Sequence, residues 1–231
     1  MSTITIDATD GSGRFSAFVA EPARKPAGAV VVIQEIFGVN AAMRETCAFL
    51  ADLGFIAVCP DLFWRIEPGV DLTDKTEAEW KRAFELFQAF DQAKGIADLK
   101  ATLAAARKLP GCNGRAGTIG YCLGGRLAFM MAEQSDADVN ISYYGVGLDS
   151  LTGELDALRS PLIVHIADRD EYFPAEGRAK VDAAVRGRPL VHAYHYDADH
   201  AFARVKGVHW DGRSAAIANG RSAEALVAAL G

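Results

Sequence analysis

Residues 118–125 read Thr-Ile-Gly-Tyr-Cys-Leu-Gly-Gly, and their centre is the part of the chain best equipped for covalent chemistry. An apolar run enters Gly-x-Cys-x-Gly and leaves into a helical pattern from Arg126 to Glu133. A strand, a sharp turn and a helix with a nucleophile at the apex form a nucleophile elbow, here with sulfur in place of hydroxyl. The turn holds Cys122 in a strained conformation, and backbone can crowd it only where side chains are missing, hence Gly120 and Gly124. It exposes the sulfur at the carboxyl edge of a sheet and at a helix N-terminus, whose positive dipole end favours thiolate. The bland alternative, a buried cysteine in a Gly-rich turn, needs strand, glycine spacing and helix to coincide by chance.

An elbow requires an acid and then a histidine, in that chain order. The apolar run Leu162 to Ile166 leads into Ala-Asp-Arg-Asp-Glu-Tyr-Phe-Pro, where two aspartates compete. Asp170 is preferred to Asp168, because hydrolases of this type commonly carry the acid a few residues before an apolar-Pro pair. Of the five histidines, His165, His192 and His195 lie along strand runs. His200 sits on a short loop after the final strand, in Asp-Ala-Asp-His-Ala-Phe, from which a base can reach back to the sulfur. Asp170 would orient its imidazole and stabilise the imidazolium.

The segment Gln34-Glu35-Ile36-Phe37-Gly38 follows a strand and turns into a helix that Asn40 can cap. In such a turn one N–H joins the N–H after the nucleophile to form an oxyanion hole, so Ile36 and Leu123 are the candidate donors. Glu35 emerges at the same strand end. It is either a carboxylate close enough to influence the thiol or an ordinary surface-loop glutamate.

These residues need a scaffold, and the alternation of β-branched runs with longer amphipathic ones predicts one. Strands are expected at 3–7, 15–20, 29–34, 55–59, 116–121, 139–144, 162–166 and 190–196. Helices are expected at 41–53, 77–93, 96–108, 124–134, 175–185 and 214–230, with one long irregular insertion at 63–74. No repeat or linker interrupts the pattern. The expectation is a single domain over residues 1–231 with the α/β-hydrolase fold, a mostly parallel central sheet with helices on both faces.

Composition narrows the partners. Lys and Arg number 24 against 30 Asp and Glu, a net charge of -6 that gives no footprint for nucleic acid. No apolar run reaches the ~18 residues that span a bilayer. The N-terminus lacks a basic, apolar leader, so a cytoplasmic protein is expected, and a monomer. Cys47, Cys59, Cys112 and Cys122 are too widely spaced for a zinc knuckle or a redox pair. Neither metal nor cofactor is expected, because backbone donors can stabilise an oxyanion without one.

Taken together, several segments resemble the dienelactone hydrolase (carboxymethylenebutenolidase) family over nearly the whole chain. They are Gln34 to Asn40, Met43-Arg44-Glu45, Val58 to Leu62, Gln88 to Asp91, Gly120 to Gly125, Tyr143 to Gly147 and His200 to Arg204. The resemblance implies a Cys-His-Asp hydrolase opening dienelactone to maleylacetate, with Cys122, His200 and Asp170 as the triad. It implies that Glu35 holds the resting thiol and pairs with Arg204, until a substrate carboxylate competes for the arginine. It also marks departures: an Arg and a Tyr that face the substrate carboxylate in the family fall, counting back from Gln88, on Trp80 and Phe84. Ala201 stands where serine often follows the histidine. Asp199 stands where glycine is frequent, which Asp tolerates if the turn is left-handed. Trp80 and Phe84 favour a second reading, an esterase or thioesterase for a more apolar substrate. A non-catalytic thiol sensor is the third.

Overall fold

The apolar runs pair into one eight-stranded sheet in the computed structural model, which describes residues 2–231. The strands are β1 (Ser2–Asp7), β2 (Arg14–Ala20), β3 (Ala27–Ile33), β4 (Ile56–Pro60), β5 (Cys112–Tyr121), β6 (Asn140–Tyr143), β7 (Leu162–Ala167) and β8 (Val191–Tyr196). They lie in the order β1-β2-β4-β3-β5-β6-β7-β8. β2 is antiparallel to both of its neighbours, and every pairing from β4 across to β8 is parallel. Strands β3, β4 and β7 are buried at every residue, which is why they read as continuous apolar runs. Strand β2 alternates through its first half, as a strand wet on one face does.

Six α-helices cover the sheet: α1 (Ala41–Asp52), α2 (Glu77–Ala89), α3 (Gln92–Arg107), α4 (Leu123–Gln134), α5 (Ala175–Val185) and α6 (Gly212–Leu230). Because successive side chains of a strand point to opposite faces, β3 feeds two cores. Val31 and Ile33 join Leu99, Leu103 and Leu127 of α3 and α4. Val30 and Val32 join Leu50 of α1 with Leu226 and Leu230 of α6. This three-layer arrangement is the α/β-hydrolase fold.

The break expected between helices 77–93 and 96–108 falls earlier, with α2 ending at Ala89 and α3 starting at Gln92. Phe90 is extended and Asp91 caps α3, accepting from the Lys94 N–H at 3.1 Å. The Phe90 ring fills the space over Gly95, where a Cβ would lie 2.3 Å from its Cζ.

The irregular insertion is pinned to the loop after β3. Leu72 N–H donates to Phe37 O at 3.0 Å, and Asn40 Nδ2 donates to Leu72 O at 2.9 Å. Gly38 is required at the crossing: its φ is +80°, and a Cβ would meet Val70 O at 2.0 Å. Asp61 accepts from the N–H groups of Phe63 and Gly69 at 3.0 and 2.7 Å, closing the insertion's first half. No helix of the described residues is long and apolar enough to cross a membrane.

Candidate active site

Strand β5 ends at Tyr121, α4 begins at Leu123, and Cys122 stands between them with φ 56° and ψ −113°. A non-glycine residue held there costs about 1–3 kcal/mol, which the surrounding packing must impose. The glycines show how. A Cβ on Gly120 would lie 1.9 Å from Gly124 O, and one on Gly124 would lie 2.2 Å from Ile33 O. The elbow is therefore locked against the end of β3, the strand that supplies the Gln34 to Gly38 loop. Leu123 N–H opens α4 and has no carbonyl partner within that helix. Ile36 lines the cavity that also opens onto Cys122.

Residues after β7 and β8 converge on the same edge. His200 Nδ1 lies 2.7 Å from Asp170 Oδ2, with side chains only 4% and 1% exposed. Tyr172 N–H occupies the other Asp170 oxygen at 2.8 Å. Tyr144 and Tyr172 pack edge-on against the imidazole, at ring separations of 5.2 and 4.9 Å. Burial opposes a charged imidazole, yet the electrostatic pull of the Cys122 sulfur and the hydrogen bonds to Asp170 and Cys122 outweigh it and push His200 up to about 10. Asp168 has a different partner, since its Oδ1 is 2.7 Å from Nδ1 of His195, a half-exposed residue that also meets Asp182 at 2.9 Å. His165 is a core residue between Tyr196 and Ser222, at 2.8 and 2.9 Å, and burial pulls it down to about 3.

Glu35 is buried, not a surface glutamate. Both of its oxygens are taken by Arg204, Oε2 by Nε at 2.6 Å and Oε1 by Nη2 at 3.1 Å. Arg204 Nη1 turns to Asp74 Oδ2 at 2.7 Å, an oxygen that also accepts from Val208 N–H at 3.1 Å. The guanidinium lies 4.9 Å over the Phe37 ring. Burial works against its charge, but Glu35 and the other neighbours more than compensate and raise Arg204 above its ordinary value. Tyr144, with φ 37°, places its hydroxyl in this patch with no hydrogen-bond partner among the described residues. Burial pushes that phenol well above its usual value, and the charges of Glu35, Arg204 and Cys122 all act on it.

A cavity of about 220 Å³ opens onto Cys122, His200 and Arg204. Its remaining wall is Ile36, Phe37, Trp80, Phe84, Phe87, Val146 and Tyr172. Trp80 and Phe84, the positions reached by counting back from Gln88, both line this cavity. They stack at 5.7 Å, Trp80 meets Phe37 edge-on at 5.0 Å, and the indole N–H donates to Asp74 O at 3.0 Å. Arg82 points elsewhere, pairing with Glu67 and Glu85, and Lys81 is exposed. The left-handed position near the histidine is Ala201, with φ 64°, rather than Asp199, which instead accepts from Arg169 at 3.1 Å.

Asp74, Tyr144 and Tyr172 were not singled out from the sequence. Asp74 lies in a segment without periodicity, 130 residues from the arginine it contacts, so no local signal could have linked them. Tyr144 ends a strand run and read as core. Among the described residues, no group of three or more His, Cys, Asp or Glu is placed to hold a metal ion.

A strained strand-to-helix elbow at Cys122 and a buried His200-Asp170 pair, at the edge of a mostly parallel sheet, define the class: an α/β-hydrolase. The model of the dienelactone hydrolase family matches residues 15–229, and the chain belongs to that family. It is 51% identical to a provisionally named carboxymethylenebutenolidase of Azospirillum brasilense, covering 96% of each chain. It is 41% identical to the carboxymethylenebutenolidase of Pseudomonas putida, covering 96% of this chain and 94% of that one. Its fold superimposes on a provisionally named dienelactone hydrolase from Klebsiella pneumoniae subsp. pneumoniae with a TM-score of 0.84, at 23% identity and 98% coverage of each.

Proposed function

We propose that the protein hydrolyses a small lactone or ester through an acyl-enzyme on Cys122. The observation that carries this reading is the sealed 2.7 Å contact of Asp170 with His200, which leaves the second ring nitrogen for the sulfur. The thiolate attacks the acyl carbon, and the carbonyl electrons move onto an oxyanion that accepts from the N–H groups of Ile36 and Leu123. Collapse breaks the bond to the leaving oxygen, which takes the proton from His200. Water then gives a proton to His200 and attacks the thioester, releasing the acid and restoring the thiol pair. Glu35 is assigned to the control of thiol ionisation: while Arg204 holds both oxygens its charge is balanced, and release exposes a carboxylate to the buried patch.

Dienelactone-type lactones are the leading substrate class, supported by the family and by the carboxymethylenebutenolidases among its relatives. A more apolar ester is the second reading, favoured by the Trp80–Phe84 stack on the cavity wall. The protein is proposed to work as a one-domain monomer, since a single chain supplies the whole site. Four free cysteines suit a reducing cytoplasm.

Mass spectrometry after rapid mixing with 4-nitrophenyl acetate tests the mechanism. An acetyl group on Cys122, absent from an inactive but folded Cys122→Ala variant, is expected. Acetylation elsewhere, or more than a few per cent of wild-type turnover in the variant, would overturn it, and a sulfenic acid formed in its place would favour the thiol sensor.

A further inference from the structure

Asp74 is fixed in the wall of the candidate site. Its backbone accepts the Trp80 indole N–H, and its carboxylate accepts from Val208 N–H and Arg204. Thr73, next to it, is held through its N–H and its hydroxyl by Glu79, each at 2.8 Å. The Leu72 contacts with Phe37 and Asn40 tie the same stretch to the loop after β3. The backbone contacts fix where this side chain starts, and the Val208 N–H holds its carboxylate on Arg204.

Among the described residues Arg204 is the one Arg or Lys lining the cavity, and His200 is engaged with Asp170, so Arg204 is where a substrate's negative charge would be expected to bind. Three of its five N–H groups already serve carboxylates, two on Glu35 and one on Asp74. With both carboxylates buried about one guanidinium, the trio carries one net negative charge. An incoming carboxylate must therefore displace a fixed partner or approach a centre of its own sign. A neutral carbonyl or ether oxygen meets no such opposition and can use the two remaining N–H groups.

We propose that Asp74 is a specificity-determining residue that keeps Arg204 occupied and biases the site toward uncharged lactones and esters. This rests on the reading of the cavity as the acyl-enzyme site, and within that reading it favours the second substrate class, the more apolar ester, over a carboxylate-bearing dienelactone. It makes the charge preference a property of the insertion, separate from the apolar wall formed by α2.

The test compares mono-4-nitrophenyl succinate, which carries a carboxylate, with neutral 4-nitrophenyl butanoate on wild type and Asp74→Asn. The variant should raise the ratio of kcat/KM, succinate over butanoate, by tenfold or more, mainly through a lower KM for the succinate. Asp74→Glu should keep the wild-type ratio. An unchanged or lower ratio in the asparagine variant overturns the proposal and leaves Asp74 as a support for Arg204. Calorimetry on the wild-type protein gives an independent reading if the variant does not fold. Phenylacetamide should bind at least tenfold tighter than phenylacetate at pH 8, and equal or tighter binding of the anion overturns the proposal. Binding needs no turnover. Failure of the acyl-enzyme experiment therefore sinks the mechanism alone, and failure of these comparisons with an intact acetyl-enzyme sinks the role of Asp74 alone.

Discussion

His200 meets Asp170 across 2.7 Å with both side chains sealed from water, while Asp168, two residues earlier, meets a different histidine at the surface. His200→Ala should lower the chemical step by a factor of thousands. Asp170→Asn should cost less, because the amide still contacts the ring but favours the wrong tautomer. Asp168→Asn and His192→Ala should stay within about threefold of wild type, as surface changes away from the reacting atoms do. Single-turnover kinetics checks the ranking, and a larger loss in Asp168→Asn than in Asp170→Asn would reverse the assignment.

The titration of His200 follows from its neighbours. Against burial, the pull of the Cys122 sulfur and the bond to Asp170 raise it from 6.5 to about 10. A histidine raised on folding adds stability below its ordinary value, and that stability is lost as pH rises through the folded one. The imidazolium that protonates the leaving oxygen is lost over the same range, so kcat/KM should fall as pH rises through about 10. NMR of the ring should show this titration in wild type and a value closer to 6.5 in Cys122→Ala. The same low value in both proteins would remove the sulfur as the cause.

The ion cluster should matter for folding as well as chemistry. Arg204→Met strands two buried carboxylates and should cost about 3–5 kcal/mol in urea unfolding. Glu35→Gln leaves Arg204 paired to Asp74 and should cost about 1–3 kcal/mol while cutting turnover. Burial disfavours the charged form of Asp74, but the Val208 N–H and Arg204 outweigh it and hold it below its ordinary 3.8. Its contribution is thus complete above that value and is lost as pH falls through the lower, folded one. If Arg204→Met is as stable as wild type, the cluster contributes nothing to the fold.

The apolar wall gives a fourth expectation. Trp80→Arg with Phe84→Tyr should shift kcat/KM toward dienelactone, relative to a neutral aryl ester, by about tenfold or more, for which ~1.4 kcal/mol suffices. The arginine should supply most of the gain. The shift should be larger when Asp74→Asn is added, because the new cation and a less occupied Arg204 then act on the same carboxylate. An unmoved ratio in the triple variant would mean that these positions do not meet the substrate's charged end.

The elements legible in the sequence are those whose burial is periodic or complete. Strands β3, β4 and β7 announced themselves as unbroken apolar runs, and Gly120 and Gly124 marked the elbow because only glycine fits against Gly124 O and Ile33 O. His200 and Asp170 could be ranked because loops at strand ends occur in a fixed chain order. What stayed hidden depends on contacts between distant segments. The break at Phe90 is set by a ring lying over Gly95, and the left-handed turn at Ala201 left no glycine to betray it. Asp74 reaches Arg204 from an insertion that crosses the loop after β3 at Gly38.

The division between α2 and α3 has a consequence for how this protein changes over generations. Helix α2 carries Trp80 and Phe84 but none of Cys122, Asp170 or His200, and it is capped at its own start by Thr76, whose hydroxyl accepts from Glu79 N–H at 3.2 Å. Much of its cavity-facing surface can mutate without touching the strand ends that hold the nucleophile, acid and base. Selection can therefore redirect such an enzyme to new compounds through one helix while the reacting atoms are inherited unaltered, so descendants should diverge in diet sooner than in chemistry.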